Sequence, residues 1–309
     1  MRISARRDRA AALLLVLWAI AVLSFAVLWV ADLVSIELDS GAAYAKRLAA
    51  RQIALSGVAL GMHPRVTRED VALLNQDLAD GGKMRVRIRG EGARLNINRL
   101  LADQDRVTLK NLFLLWGLNN DEADVLFDRL TDWVDGDAGR QLNGAERADY
   151  EAIGIMDAPA NRPFRSVDEI GRVMGMEVLA ERYPGWREAF TVFGDGMVDV
   201  NEAEADVLQA ATGLTPEMVQ DILRLRRGGD EIEPSEDDVR FESVDQLAGW
   251  LQASTLPPDR AAARLTTEST VKRIDSRGMV DDCEVRISVV TASGGDGGQS
   301  TDYLLWEER

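Results

Sequence analysis

The pattern of apolar and polar positions changes sharply near the start of the chain. Residues 10–31 form an apolar run that only Ser24 interrupts. Four basic residues precede it: Arg2, Arg6, Arg7 and Arg9. Twenty-two helical residues rise about 33 Å, enough to cross a hydrocarbon core of about 30 Å. A signal peptide usually has a shorter apolar region, of about 7–15 residues, so we predict a retained membrane helix, with a long signal peptide as the alternative.

The charges around this run predict its orientation. The positive-inside rule keeps the basic leader, residues 1–9, in the cytoplasm and sends everything after Asp32 across the membrane. Between residue 32 and about residue 61, apolar residues recur among charges at helical spacing, without a proline. We therefore predict one helix from about residue 10 to residue 60. A break near Gly41 is the alternative, because glycine interrupts helices.

The segments that follow alternate between apolar and polar residues with the period of a strand. After a predicted helix at 68–79, strands are predicted at 84–89 and 94–98, with residues 90–92 as the turn between them. Three more strands are predicted near the C-terminus, at 269–274, 283–291 and 301–306. The two ends of the chain should therefore build one small antiparallel sheet.

The middle of the chain has helical periodicity throughout, which predicts an inserted helical domain. Residues 163–170 and 241–247 repeat one pattern: an aromatic residue, a serine N-cap and an acidic residue before an apolar face. Residues 198–203 also echo 95–98. The predicted class is α+β, with segments 1–9 (leader), 10–31 (membrane), 32–100 (α/β part), 101–265 (helical insertion) and 266–309 (final strands).

Composition narrows the function classes. The chain has 52 acidic and 36 basic residues and a formal net charge of −16, which argues against general nucleic-acid binding and is compatible with divalent cations. Cys283 is the only cysteine, so no internal disulfide can form. His63 is the only histidine and precedes Pro64, and the sequence contains no nucleophile motif. We predict that the protein is not an enzyme.

One acidic loop has a spacing that suits a metal ion. Asp135, Asp137 and Glu146 occupy relative positions 1, 3 and 12, the spacing at which an EF-hand presents carboxylates to calcium. Gly139 and Arg140 stand at positions 5 and 6, where an EF-hand needs an oxygen ligand and a glycine, so the loop is not an EF-hand. From the residues alone, a solvated acidic loop is the alternative.

Several motifs in a fixed order identify a family resemblance. After the basic start and the apolar helix come LNIN at 95–98, LTDWVDGD at 130–137, NGAE at 143–146, Tyr150, Pro163-Phe164 and Val200-Asn201. In this order and spacing, over nearly the full length, the chain resembles the minor pseudopilin of the type II secretion system called general secretion pathway protein K. The resemblance implies a pilin-like fold with a long N-terminal helix, a small antiparallel sheet and a large helical insertion.

The resemblance also implies a structural role in protein export. Such a protein is held in the bacterial inner membrane by a single span, with its C-terminal domain in the periplasm. It stands at the tip of the pseudopilus with other minor pseudopilins above the major pseudopilin, facing the secretion channel and the exported substrates. Calcium is implied in the helical insertion, with four matching acids: Asp132, Asp135, Asp137 and Glu146.

Members of this family are cut and N-methylated by a prepilin peptidase just before the apolar run. The resemblance places cleavage between Ala10 and Ala11, where glycine is usual before the cut. Most pilins carry a glutamate five residues into the mature helix, and here that position is Leu15. A carboxylate in the bilayer is costly without a partner. The absence of the glutamate therefore fits a subunit that has no further subunit above it in the filament.

A rival interpretation is a membrane-anchored DNA-binding protein of the competence type. Residues 198–226 resemble a helix-hairpin-helix unit, in which backbone amides and basic residues hold phosphate. Arg224, Arg226 and Arg227 are the candidate contacts. The acidic neighbours Glu231 and Glu233 and the overall charge favour a structural use of the motif.

Overall fold

The computed structural model describes residues 4–79, 81–229, 238–250, 264–293 and 301–309. The first helix, α1, runs without interruption over Ser4–Gly61. This confirms the predicted continuous helix, and Gly41 does not break it. Some of its side chains lie outside the described ones, including those of Ala10 and Ala11, the predicted cleavage position. Among the described side chains, no helix has a stretch both long and apolar enough to cross a bilayer.

The remaining described elements are a five-stranded sheet, two pairs of short strands and a set of short helices. The strands are β1 Asn75–Asp77, β2 Lys83–Gly90, β3 Leu95–Asn96, β4 Phe190–Thr191, β5 Val198–Asp199, β6 Leu265–Thr266, β7 Val271–Val280, β8 Cys283–Ser293 and β9 Thr301–Glu308. The helices are α2 Val71–Leu74, α3 Ile97–Ala102, α4 Arg106–Leu115, α5 Asn120–Val134, α6 Arg147–Ala152, α7 Val167–Ile170, α8 Met176–Arg182, α9 Ala205–Thr212, α10 Pro216–Arg226 and α11 Val244–Trp250.

The main sheet has five strands in the order β1-β2-β7-β8-β9, and every neighbouring pair is antiparallel. The second half of α1 packs on one face of this sheet, where Ala50 and Val58 share a buried cluster with Val289. Small residues permit the close approach. A Cβ atom built on Gly278 would overlap the Ala50 carbonyl oxygen. The three predicted C-terminal strands are present, each longer than predicted.

The helix predicted at 68–79 is largely wrong. Only α2, Val71–Leu74, is helical, and the chain then enters the edge strand β1. The Asn75 side chain donates to the Val71 carbonyl at 3.1 Å, and the Gln76 side chain donates to the Leu73 carbonyl at 2.9 Å. These two amides satisfy carbonyls at the helix end and stop the helix there.

The hairpin predicted around residues 90–92 is also wrong. Residues Glu91–Ala93 form a 3₁₀ turn, and β3 pairs in parallel with β4 instead of returning along β2. The reason lies in Asn96, whose side chain accepts from the amides of Asn98 and Arg99 and so caps α3. The alternating pattern at 95–98 is therefore a two-residue strand followed by a helix start.

The helical insertion contains the same hydrogen-bond clamp twice. The Asn98 side chain donates to the Phe164 carbonyl at 2.9 Å and accepts from the Phe164 amide at 2.8 Å. Asn201 makes the same pair with Phe241, at 2.9 Å and 2.8 Å. The predicted repeats thus share a contact. In the sequence, the first clamp lies between β3 and β4 and the second lies between β5 and β6, and each of these two strand pairs is parallel. The predicted fold class, α+β with a helical insertion, is confirmed.

Candidate metal centre

The acidic loop connects α5 to α6 and is anchored by an aromatic cluster. Trp133, in the last turn of α5, is 1% exposed. Its ring stacks on Phe164 with centroids 6.3 Å apart and meets the edge of Tyr150 at 5.5 Å. The Tyr150 hydroxyl accepts from the Met174 amide at 3.2 Å. These contacts fix the end of α5, from which the acidic side chains project.

Two buried aspartates hold the loop against α5. Asp132 is fully buried and accepts from the Gln141 amide at 3.1 Å. Asp128 accepts from both the amide and the side chain of Asn143, each at 3.1 Å, and pairs with Arg106. A Cβ atom at residue 144 would overlap Asp132 Oδ2, so only glycine lets the loop lie this close.

Two carboxylate oxygens of the loop lack the partners that buried polar atoms normally have. Asp135 Oδ1 and Glu146 Oε1 are buried and accept no hydrogen bond from any described residue. Asp135 is the C-cap of α5, and Glu146 is the N-cap of α6, so the helix ends fix their backbones. Asp137 is exposed and its carboxylate accepts from the Gly139 amide at 2.6 Å, which makes it a turn-forming residue.

Burial and mutual repulsion disfavour the charged form of three carboxyl groups in the loop. Burial, followed by repulsion from Asp128, raises the pKa of Asp132. Burial and the neighbouring Asp137 and Asp132 raise the pKa of Asp135. Burial and the charges of Asp132 and Asp135 likewise raise the pKa of Glu146. Three carboxyl groups thus carry an electrostatic penalty that a bound cation would relieve.

The fit to calcium is therefore partial. Among the described residues, no group of three or more His, Cys, Asp or Glu side chains is arranged to hold a metal ion. The two unpartnered oxygens are nevertheless hard ligands of the kind that calcium prefers, and calcium accepts main-chain carbonyls and water to complete its shell. Asp135 and Glu146 fit the predicted ligand set best, and Asp132 helps to shape the loop.

We expect Glu146→Gln to stabilise the protein in chelator at neutral pH. The raised pKa values mean that the folded state keeps protons that the unfolded state releases. Stability from this loop is therefore highest below the unfolded pKa, about 4, and falls as pH rises through the raised folded values. The amide removes one of the mutually repelling charges, and we expect its melting temperature to exceed that of the wild type by a few degrees at pH 7.

The melting-temperature gap between Glu146→Gln and the wild type should close as pH falls toward 4, measured by scanning fluorimetry. Glu151→Gln is the matched control, because Glu151 is exposed on the same helix. A gap that is absent at pH 7, or equal in the control, would contradict the electrostatic account.

The structure separates the other candidate residues from this loop. Leu15 is 69% exposed on α1, and the exposed His63 side chain accepts from the Arg65 amide at 3.2 Å. Arg226, offered as a phosphate contact, is 5% exposed and donates to the Ala203 carbonyl at 2.6 Å. Arg224 pairs with Asp221 at 2.9 Å. Two of the three arginines of the helix-hairpin-helix interpretation are thus engaged within the fold.

Sequence reasoning missed Asp128. It lies four residues before Asp132, and that spacing places both carboxylates on one face of a helix. The Asp-x-x-x-Asp spacing within the predicted helix was the available signal.

Comparison with known proteins places the chain in a class. The crystal structure of the GspK-GspI-GspJ complex from the enterotoxigenic Escherichia coli type 2 secretion system contains a similar chain, with a TM-score of 0.65, 18% identity, and coverage of 88% of this chain and 99% of that one. Together with the docked long helix and the helical insertion, this fold defines a pilin-like protein with an inserted helical domain.

Two sequence matches relate parts of the chain to one family. Residues 93–182 match the family described as "Type II secretion system (T2SS), protein K". The "Type II secretion system protein K" of Pseudomonas aeruginosa is 32% identical over 171 residues, which are 52% of this chain and 49% of that protein. Over these segments the chain is similar to proteins of the type II secretion system protein K family. It aligns with about half the length of this curated relative.

Proposed function

We propose that this chain is the protein K minor pseudopilin of a type II secretion system, a structural subunit at the tip of the pseudopilus. The observation that carries the proposal is the pilin-like fold with its helical insertion, combined with the family match at residues 93–182. The role is one of assembly: the long helix joins the filament, and the insertion is presented beyond it.

The surface of the first half of α1 suits an environment of lipid or of other apolar helices. Its large apolar side chains point outward, with Leu15 69%, Phe25 77% and Trp29 66% exposed. A continuous apolar surface of this kind needs an apolar surrounding. We propose that residues 10–31 lie in the inner membrane before assembly and pack among other pilin helices afterwards, with the leader in the cytoplasm and the rest in the periplasm.

The proposed partners are other minor pseudopilins and the major pseudopilin, with the secretion channel and exported substrates beyond the tip. The related Escherichia coli structure is a complex of GspK with GspI and GspJ. The test is co-expression of the full chain with the corresponding two proteins of its own organism, followed by affinity purification in detergent. We expect a complex of three chains.

The expected contact is the exposed apolar side of α1 beyond the span. Leu48 is 45% exposed there, and Leu142, in the acidic loop, is 88% exposed. Leu48→Asp should lower recovery of the partners at least tenfold, and Leu142→Asp should leave it unchanged. Failure of the wild type to retain either partner would overturn the assembly role.

Processing by the prepilin peptidase is part of the same proposal. Mass spectrometry of the N-terminus from native membranes should find a chain that begins at Ala11, methylated on its amino group. A chain that retains residues 1–10 would show that Ala10 does not permit cleavage.

We further propose that Asp135 and Glu146 bind calcium, with Asp132 and Asp137 beside them. A ligand bound only by the folded state must stabilise it, so the melting temperature of the full chain in detergent should rise by several degrees with 1 mM calcium relative to chelator. Asp135→Asn should abolish the rise, and Glu151→Gln should retain it. Equal melting temperatures for the wild type in calcium and in chelator would contradict a calcium site.

A further inference from the structure

The face of the main sheet that points away from α1 carries a row of arginines. In the strand register, Arg85 on β2 lies opposite Arg277 on β7, which lies opposite Arg286 on β8. The backbone of Arg286 exchanges hydrogen bonds with that of Arg309, at 3.0 Å and 2.9 Å. Arg309 directly follows β9 in the chain, so the row continues from β8 onto this last segment. Four arginine Cα positions therefore lie side by side on four neighbouring chain segments, at a strand spacing of about 4.8 Å.

Further arginines extend this row into a groove. The outer face of the sheet lines an open groove of about 610 Å³ with seven arginines and three acidic residues. A second groove of about 310 Å³ shares part of this lining and continues onto the helical insertion. It adds three arginines, Arg94, Arg165 and Arg187, and one acid, Asp168. We call the two together the arginine groove. It is strongly cationic in a chain whose formal net charge is −16.

The row is not explained by the stability of the sheet. Like charges directly opposite each other on neighbouring strands are destabilising. Local ion pairs offset only part of this repulsion: Arg85 meets Asp77 at 2.6 Å, and Arg309 meets Glu307 at 3.2 Å. Arg277 lies 4.0 Å from Glu284, which also pairs with Arg286, and Arg87 has no ion pair among the described residues. A surface that costs folding energy and concentrates charge is typical of a binding site.

The side chains of the row are available to a partner. Arg277 is 53% exposed and Arg286 is 56% exposed, whereas Arg273 is tied to the buried carboxylate of Glu91 at 2.6 Å. The buried pair fixes one end of the groove, between the sheet and the insertion. The exposed arginines keep donors directed at solvent, in the planar fork that binds a carboxylate through two hydrogen bonds.

We propose that the arginine groove is a docking surface for a partner protein rich in exposed carboxylates. The lining favours a protein over a nucleic acid, because Asp275, Glu307 and Glu188 lie among the arginines and repel a polyanion more strongly the denser its charge. An extended acidic peptide carries at most one charge per about 3.5 Å, whereas duplex DNA carries one per about 1.7 Å. Val192 and Leu305 contribute apolar surface in the second groove. Arginine beside apolar surface is the composition of protein interfaces. This proposal concerns the open sheet face and does not depend on the assembly role of α1.

The test measures binding of the full chain in detergent to three fluorescent probes at low salt: 30-residue poly-L-glutamate, polyphosphate of the same length and a 20-base-pair DNA duplex. We expect poly-L-glutamate to bind more tightly than either phosphate probe, with binding that weakens as salt is added. The combined substitution Arg87→Gln, Arg277→Gln and Arg286→Gln should weaken the glutamate complex about tenfold. Unchanged binding in this variant would overturn the proposal.

A matched control removes the same charge elsewhere. Arg47, Arg65 and Arg172 are all exposed and lie outside the groove linings. Their combined replacement by glutamine should leave the affinity for poly-L-glutamate within twofold of the wild type. An equal loss in both triple variants would mean that only net charge matters, and tighter binding of DNA or polyphosphate would assign the groove to phosphate; either outcome contradicts the proposal.

Discussion

Replacing Trp133 by alanine should lower the free energy of unfolding by about 4 kcal/mol, because removing a fully buried tryptophan costs about 3–5 kcal/mol. The side chain is 1% exposed and lies between Phe164 and Tyr150. The cavity would form where α5 ends and the acidic loop begins. Stability and the geometry of the candidate metal centre should therefore be lost together.

The measurement is chemical unfolding of the full chain in detergent, followed by tryptophan fluorescence and circular dichroism. Trp250→Ala is the matched control, because this side chain is 55% exposed and its loss should change stability by less than about 1 kcal/mol. We also expect the stabilisation by calcium to shrink in Trp133→Ala alone. Equal effects of the two substitutions would contradict the central position of Trp133 in the core.

Gly278→Ala should separate α1 from the sheet. The added Cβ atom would overlap the Ala50 carbonyl oxygen and lie 2.6 Å from the Ala54 amide nitrogen. Both atoms belong to helical backbone, which cannot rotate away as a side chain can. Overpacking of this kind costs about 1–3 kcal/mol, and the rigid helix places this site at the upper end.

Hydrogen exchange measures the loss of contact between α1 and the sheet separately for each segment of the chain. Amides in residues 42–61 of α1 should exchange faster in Gly278→Ala, whereas those of α4 and α5 should keep their protection. Gly41→Ala adds the same methyl group to α1 where it meets nothing within 4 Å beyond its chain neighbours and the backbone of the helix itself, and should stabilise the helix by up to about 1 kcal/mol. Unchanged exchange in Gly278→Ala would mean that helix and sheet are less closely packed.

The sequence was sufficient for the parts of the fold that repeat one period over many residues. The long helix and the strands β7, β8 and β9 were predictable because their patterns persist for eight residues or more. Short elements depend on single side-chain contacts. Asn75 and Gln76 end α2 by bonding carbonyls behind them, and Asn96 starts α3, yet all three also fit an extended pattern.

The candidate site was predictable in its residues but not in their roles. Loop spacing identified Asp135, Asp137 and Glu146, and the structure buries an unpartnered oxygen of Asp135 and of Glu146 but leaves Asp137 exposed. Burial depends on the aromatic cluster around Trp133, which joins residues far apart in the sequence. The arginine row was equally invisible, because its four members come from four separate segments and meet only through the register of the sheet.

The unbroken course of α1 has a mechanical consequence. A helix of 58 residues is about 87 Å long, and its helical course continues through Gly41 from the apolar half to the half docked on the sheet. A rod without a joint transmits a push or a twist along its axis instead of absorbing it. A force applied to the first turns of α1 would therefore displace the sheet and the helical insertion together.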